Sequence, residues 1–342
     1  MKQSKSKRSI HKNSKKTKTK KIRYFGGMEE EEEKKPVLIP NALLNETLDF
    51  FHKDLKKTIH KEGIKPQDLD KPISIEVIMK SGTEEYYKDL LLSQRFKNNL
   101  CKEAARRGYL STLKWARQND CPWNQSVTNL ASLYGHVDVL EWAIDNGCPY
   151  SCNGVCENAS EGGYIRCLEI ALDKGCNLND IVSGPIYIQN AARGGNIECI
   201  TWLRDHGVRW DRRACKGAAD GGKLETLIWL REQGCPWDKG TCSSAARSGH
   251  LDCLIWAHEN SCPWNFTTCE YAAMNGKYEC LKWAHEHQCP WNGYVTLGAA
   301  RTGQLECLIY AVENHCPFDL EQCREAAQHY NHPNILEWLN SL

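Results

Sequence analysis

Cysteine and histidine are the residues of this chain with the most potential for chemistry, because thiols and imidazoles ligate metals and thiols also form disulfides. The 342 residues include 19 cysteines and 12 histidines. Several cysteines begin a Cys-Pro-aromatic step, and two of these steps lie close to histidines: His258 precedes Cys262, and His285 and His287 precede Cys289. A Cys/His zinc site is therefore one hypothesis.

The spacing of these residues favours a structural role over metal binding. The Cys-Pro-aromatic step recurs every 27 residues from Cys235 to Cys316, so it belongs to a repeat. The positions equivalent to His258 hold Arg117, Leu172 and Arg231 in other repeats, which a zinc ligand would not tolerate. No Cys-x-x-Cys pairs occur. We therefore predict no metal and no cofactor.

The remaining cysteines share the same period. Three repeated positions hold all of them except Cys152, and Val, Ile or Thr replace Cys at those positions in other repeats. Such interchange is typical of small buried core residues. The N-terminus lacks the apolar segment of a secretory signal. We therefore predict reduced thiols and an intracellular location, cytoplasmic or nuclear, with a disulfide framework as the alternative.

Catalytic motifs are missing from the sequence. It contains no phosphate-binding glycine loop, no His-Glu-x-x-His and no Gly-x-Ser-x-Gly motif. We therefore predict that the protein is not an enzyme. No stretch is long and apolar enough to predict a membrane helix.

The repeated pattern predicts the elements that carry these residues. A representative unit contains an Ala-Ala pair, a glycine and an apolar segment with Trp, followed by the Cys-Pro step. The glycine is typical of a helix C-terminus, and the proline ends a second helix. Asp238, Asn265, Asn292 and Asp319 are predicted to cap first helices. All 12 tryptophans occupy two repeated positions, and we predict that they form core.

A fixed period in this range indicates an all-α solenoid of stacked helix pairs. We place about nine units in residues 98–342. Residues 1–35 are predicted to be a disordered basic and acidic tail, and residues 36–97 a small helical region. The interval from Cys176 to Val208 is five residues longer than the period. It predicts either a projecting loop that touches a partner or a seam at which the array flexes.

Residues 249–265 resemble the stretch of ankyrin repeats that begins with Gly-His-Leu-Glu, and Ala245-Ala246 resembles the Ala-Ala pair before it. The unit departs from that family in its length and in lacking the Thr-Pro-Leu-His element. The resemblance implies an ankyrin-like helix-turn-helix solenoid with shortened or absent β-hairpin fingers. Short units of this kind resemble those of ankyrin-like proteins of giant DNA viruses and protists, which implies a viral protein acting in a host cell.

The resemblance also implies a non-enzymatic, monomeric scaffold or adaptor that binds another protein along the concave face of the array. Because the fingers are shortened, we expect binding through the two positions between Ala-Ala and Gly, which vary among units. The predicted partner-binding residues are Arg106, Arg107, Leu133, Tyr134, Glu161, Arg193, Asp220, Arg247, Met274, Asn275, Arg301 and Gln328.

The N-terminal tail predicts an alternative function. Residues 1–27 hold 11 Lys or Arg and no acid, whereas the rest of the chain is net acidic. Such a tail is typical of nuclear import or of weak nucleic-acid contact. The alternative is thus a nucleus- or nucleic-acid-associated protein anchored by this tail.

Overall fold

The computed structural model describes residues 91, 92 and 94–342, in which 18 α-helices and no strands form. The predicted tail, and the predicted helical region up to residue 90, lie outside the described residues. The helices pair into nine units, each with a first and a second helix: α1 (Gln94–Arg107) and α2 (Leu110–Gln118), α3 (Gln125–Leu133) and α4 (Val137–Asp145), α5 (Cys152–Gly162) and α6 (Ile165–Asp173), α7 (Gly184–Gly194) and α8 (Ile197–Asp205), α9 (Arg212–Asp220) and α10 (Leu224–Glu232), α11 (Lys239–Ser248) and α12 (Leu251–Glu259), α13 (Phe266–Met274) and α14 (Tyr278–Glu286), α15 (Gly293–Thr302) and α16 (Leu305–Glu313), α17 (Leu320–His329) and α18 (Pro333–Leu339).

The units stack in chain order, which confirms the prediction of an all-helical solenoid. First helices of neighbouring units contact each other extensively, whereas second helices contact each other little. The buried Ala-Ala pairs, such as Ala245 and Ala246, allow the close approach of the first helices. The row of first helices is therefore the more tightly packed side of the stack.

The ends of the first helices show the predicted capping chemistry. Asp238, Asn265 and Asn292 each accept a hydrogen bond from the backbone N–H two residues later, and Asp319 accepts one from three residues later. The closing glycines have left-handed backbone, as at Gly249 with φ of 86°. Local sequence thus determines where most of the first helices begin and end.

The repeated cysteines tie neighbouring units together. In five units the thiol of the Cys-Pro cysteine donates to a backbone carbonyl oxygen at 3.4–3.6 Å. The carbonyl belongs to the residue that caps the preceding first helix, as in Cys262 to Asp238 and Cys289 to Asn265. Burial raises the pKa of the Cys148 thiol to about 11 and that of Cys316 to about 12. The thiols of Cys148 and Cys316 are therefore neutral donors at physiological pH.

In unit 3 the equivalent contact is a covalent bond, and there the prediction of a wholly reduced chain is wrong. Cys152 and Cys176 form a disulfide with their Cα atoms 5.3 Å apart, while 17 other cysteines are free and buried. The interval from Cys148 to Cys176 is one residue longer than the period. That extra residue places Cys152, rather than the capping residue Ser151, 24 positions before Cys176.

The tryptophans are less buried than predicted. All 12 are partly exposed and pack against the edge of the core. Trp237 shows the common arrangement, since the Arg231 guanidinium lies 4.2 Å from its ring centre and the Trp256 ring lies 5.8 Å away in the next unit. In later units histidine replaces arginine, and His258 stacks on Trp264 at 3.9 Å. The tryptophans therefore cover the joints between units.

The longer interval between Cys176 and Val208 does not restore a finger. Its residues form turns in which the Asp180 carboxylate accepts hydrogen bonds from the backbone N–H groups of Val182 and Ser183, and Leu178 is buried. The chain then enters α7 at Gly184. The extra residues instead leave Ile181 and Val182 exposed, at 84% and 63%.

Candidate protein-interaction surface

The predicted binding residues lie where the first helices end. Each precedes the turn glycine of its unit, or Asn331 in unit 9, and none of them is fully buried. Their identity changes from unit to unit while the framework around them stays nearly constant. We call this row of positions the first-helix ends, and its twelve predicted members are Arg106, Arg107, Leu133, Tyr134, Glu161, Arg193, Asp220, Arg247, Met274, Asn275, Arg301 and Gln328.

Three of these residues form a charged ladder across units 4 to 6. Asp220 lies between two arginines at intervals of 27 residues. Arg193 Nε donates to Asp220 Oδ2 at 3.1 Å, and Arg247 Nη2 donates to Asp220 Oδ1 at 2.5 Å. Ser248 Oγ also donates to Asp220 Oδ1 at 2.9 Å. We call Arg193, Asp220 and Arg247 the charged ladder.

The electrostatics of the charged ladder fix its protonation. Burial by itself raises the pKa of Asp220, but the hydrogen bonds from Arg247 and Ser248 and the charges of the two arginines outweigh it and hold that pKa below the ordinary value for aspartate. The Asp220 side chain is 12% exposed, whereas Arg193 and Arg247 are 34% and 45% exposed. The arginines therefore present oriented positive charge to solvent around a shielded carboxylate.

A second group of predicted residues meets in units 1 and 2. The Arg106 guanidinium lies 5.9 Å from the centre of the Tyr134 ring, and Tyr134 stacks against His136 at 6.4 Å. Met274 packs towards the next unit, because a Cβ atom added to Gly298 would lie 2.5 Å from Met274 Cγ.

The contacts that fix these positions were not predicted. The side chain of the residue after the turn lies over the preceding unit. In three units it contacts a carbonyl oxygen at the C-terminus of that preceding unit's first helix: His136 to Arg106 O at 3.1 Å, Asn196 to Glu161 O at 2.8 Å, and His332 to Arg301 O at 2.9 Å. These bonds satisfy carbonyl groups that a helix C-terminus leaves unpaired. The sequence did contain a signal for these contacts, because most units hold a polar residue at the position after the turn.

Three of the variable positions hold a glycine because of close packing, and these glycines do not offer a side chain to a partner. A Cβ atom at Gly194 would lie 2.0 Å from Glu161 O, and one at Gly221 would lie 2.1 Å from Arg193 O. At Gly162 it would lie 2.3 Å from the Tyr164 ring. Variation at these positions is therefore set by how closely neighbouring first helices approach.

The histidines considered for zinc have other contacts. His258 and His285 stack on Trp264 and Trp291 at 3.9 and 3.8 Å. Within the described part of the chain, no group of three or more His, Cys, Asp or Glu residues is placed to hold a metal ion. None of the helices in that part is long and apolar enough to cross a membrane.

Comparison with protein-family models and with curated proteins finds no match for this chain. The likeness to ankyrin repeats therefore rests on the residues quoted above.

Proposed function

We propose that the protein is a non-enzymatic interaction scaffold or adaptor that binds a partner protein through the first-helix ends. The charged ladder is the observation that carries this proposal. Pairing with the shielded Asp220 leaves the Arg193 and Arg247 side chains 34% and 45% exposed, so their guanidinium groups are not buried as part of the core. A fixed arginine pair around a carboxylate is instead suited to recognising a complementary surface, since arginine is enriched at interfaces.

The stacked architecture supports the same function. A surface built from nine units presents one variable position after another along a constant framework. Stable protein interfaces bury about 1,200–2,000 Å² in total, which several neighbouring units supply together. We further propose that the units are shortened ankyrin-like repeats, and that the chain acts inside a cell, as a viral protein acts inside its host.

The proposal is tested by affinity purification followed by crosslinking and mass spectrometry. Crosslinks are expected between a partner and Lys216 and Lys223, the lysines that flank Asp220 in the sequence. Crosslinks confined to residues 1–97 would overturn the proposal.

The basic tail supports a second candidate, nucleic-acid association through residues 1–27. Counterion release makes such binding strongly salt-dependent. Deletion of residues 1–27 should then abolish both the binding of a random DNA duplex and its salt dependence. Binding that survives the deletion would contradict a role of the tail.

A further inference from the structure

A surface groove lies between the second helices of units 7 and 8, on a different row of helices from the first-helix ends. It has a volume of about 380 Å³ and is lined by Tyr278, Leu305, Glu306, Ile309, Tyr310 and Glu313. The rings of Tyr278 and Tyr310 meet edge to face with their centres 5.4 Å apart. The groove therefore has an aromatic and aliphatic floor that remains accessible to solvent.

Two substitutions in the repeat explain why the groove lies here. Second helices contact each other little, and in units 5, 6 and 7 a tryptophan fills the space at their joint. Unit 8 holds the smaller Tyr310 at that position. Tyr278 stands where units 5, 6 and 8 hold leucine, and it supplies the facing ring.

The charges around the groove are predominantly negative. Glu306 and Glu313 lie on α16, two helical turns apart, and both are exposed. α16 carries no basic residue, and α14 carries Lys282 and His285 together with Glu279 and Glu286. Among the described residues, neither Glu306 nor Glu313 forms an ion pair. Such a surface attracts cationic groups and repels the phosphates of nucleic acids.

The hydrogen-bonding group on the floor is neutral. Burial, Glu286 and Tyr278 raise the pKa of Tyr310 to about 12. Its hydroxyl lies 3.0 Å from His285 Nδ1, and the His285 ring is stacked on Trp291. His285 is therefore held between Trp291 and the Tyr310 hydroxyl and does not pair with Glu306 or Glu313.

We propose that this groove binds a segment of a partner protein in which lysine or arginine accompanies leucine-like side chains. The apolar side chains pack on Tyr278, Ile309 and Tyr310. The basic side chains pair with Glu306 and Glu313, where binding excludes water from the aromatic floor and strengthens the charge pairing.

The chain's own lysines show how this row of helices receives a cation. Lys174 Nζ lies 2.5 Å from the Oδ1 atom of Asp145, which occupies the position of Glu313 in unit 2. Lys114 Nζ lies 5.8 Å from the centre of the Trp142 ring, at the position of Tyr310 in unit 2. A basic partner segment would make the same two types of contact in unit 8.

The test uses a fluorescently labelled peptide of Leu and Lys, and fluorescence anisotropy on the full chain. The peptide is expected to bind, whereas a peptide in which Glu replaces Lys is expected not to bind. The double substitution Glu306→Gln and Glu313→Gln should weaken binding by about tenfold or more, because it removes both charge partners. Tyr310→Trp, which introduces the residue of units 5 to 7, should weaken binding to a similar degree by filling the groove.

The matched control is Glu225→Gln with Glu232→Gln, which removes the equivalent pair of carboxylates from unit 5. This control should change the affinity by less than about twofold. Three results would overturn the proposal: no binding to the wild-type chain, equal weakening by the two glutamate pairs, or unchanged binding after Tyr310→Trp. The surface proposed for the scaffold function is not altered by any of these variants, so this second docking surface is tested independently of it.

Discussion

Arg193 Nε donates to Asp220 Oδ2 at 3.1 Å, and these two residues lie 27 positions apart, which is one full repeat. The contact joins the first helices of two units at residues that the repeat leaves free to vary. It shows how a constant framework holds variable side chains at a fixed distance from each other.

Close packing of first helices leads to a prediction about glycine. Gly221→Ala should destabilise the protein by about 1–3 kcal/mol, because the new Cβ atom would lie 2.1 Å from Arg193 O. Gly221 caps the C-terminus of α9 with φ of −87°, a backbone that alanine adopts without strain, so a loss of stability would report packing. Urea unfolding provides the measurement.

The control for this prediction is Gly293→Ala. Gly293 begins a first helix, and the nearest atom to an added Cβ is 3.6 Å away. That variant should be at least as stable as the wild-type chain. Equal destabilisation by the two variants would contradict the packing explanation.

The disulfide predicts that stability depends on reductant. Reduction, or Cys152→Ser, should lower the free energy of unfolding by about 2–4 kcal/mol, because the 24-residue loop between Cys152 and Cys176 is no longer closed in the unfolded state. Urea unfolding with and without a thiol reductant measures the effect. The Cys152→Ser variant serves as the control and should show no response to reductant. If the variant responded to reductant as strongly as the wild-type chain, the effect of reductant would not come from the Cys152–Cys176 disulfide.

Two histidines that stack on tryptophan, His258 and His285, predict that stability depends on pH. Burial lowers the pKa of His258 and of His285, and His287 lowers that of His258 further. A folded pKa below the unfolded value means that the unfolded chain takes up protons first as the pH falls. Stability should therefore decrease from neutral pH through the ordinary histidine range until the folded pKa is reached.

The matched variant replaces both histidines with arginine, the residue that units 1, 4 and 5 hold at this position as Arg117, Arg204 and Arg231. Because arginine stays charged in both states, the variant should lose this part of the pH dependence. The difference in urea midpoint between wild type and variant is measured across the histidine range. A difference that does not change with pH would contradict the assignment.

Local features of the fold were predictable from sequence, whereas the features that depend on helix spacing were not. Asn265 and Gly249 carry their signals in their own residue types, and their capping roles were predicted and confirmed. The close approach at Gly194 depends on the distance between two backbones, which the sequence does not state. The disulfide depends on a single extra residue before Cys176, which the regular period conceals.

The candidate site was only partly predictable for a related reason. Repetition placed Arg193, Asp220 and Arg247 in one row, and their alternating charges at intervals of 27 residues were already visible in the sequence. The pairing itself was not predicted. The tryptophans were assigned to the core because their spacing is helical, but spacing cannot distinguish a core from a half-exposed joint.

The most direct test of the scaffold function is the affinity of the purified partner for a chain with the charged ladder reversed. The variant combines Arg193→Glu, Asp220→Arg and Arg247→Glu, so the ladder keeps its internal pairing while the displayed charge changes sign. The control reverses the exposed pair of Arg166 and Glu169 on α6, which lies outside the first-helix ends. With both variants checked for native helix content, the scaffold function predicts a loss of affinity of about tenfold or more for the reversed ladder and about none for the control. Unchanged affinity of the reversed ladder would contradict binding at the first-helix ends.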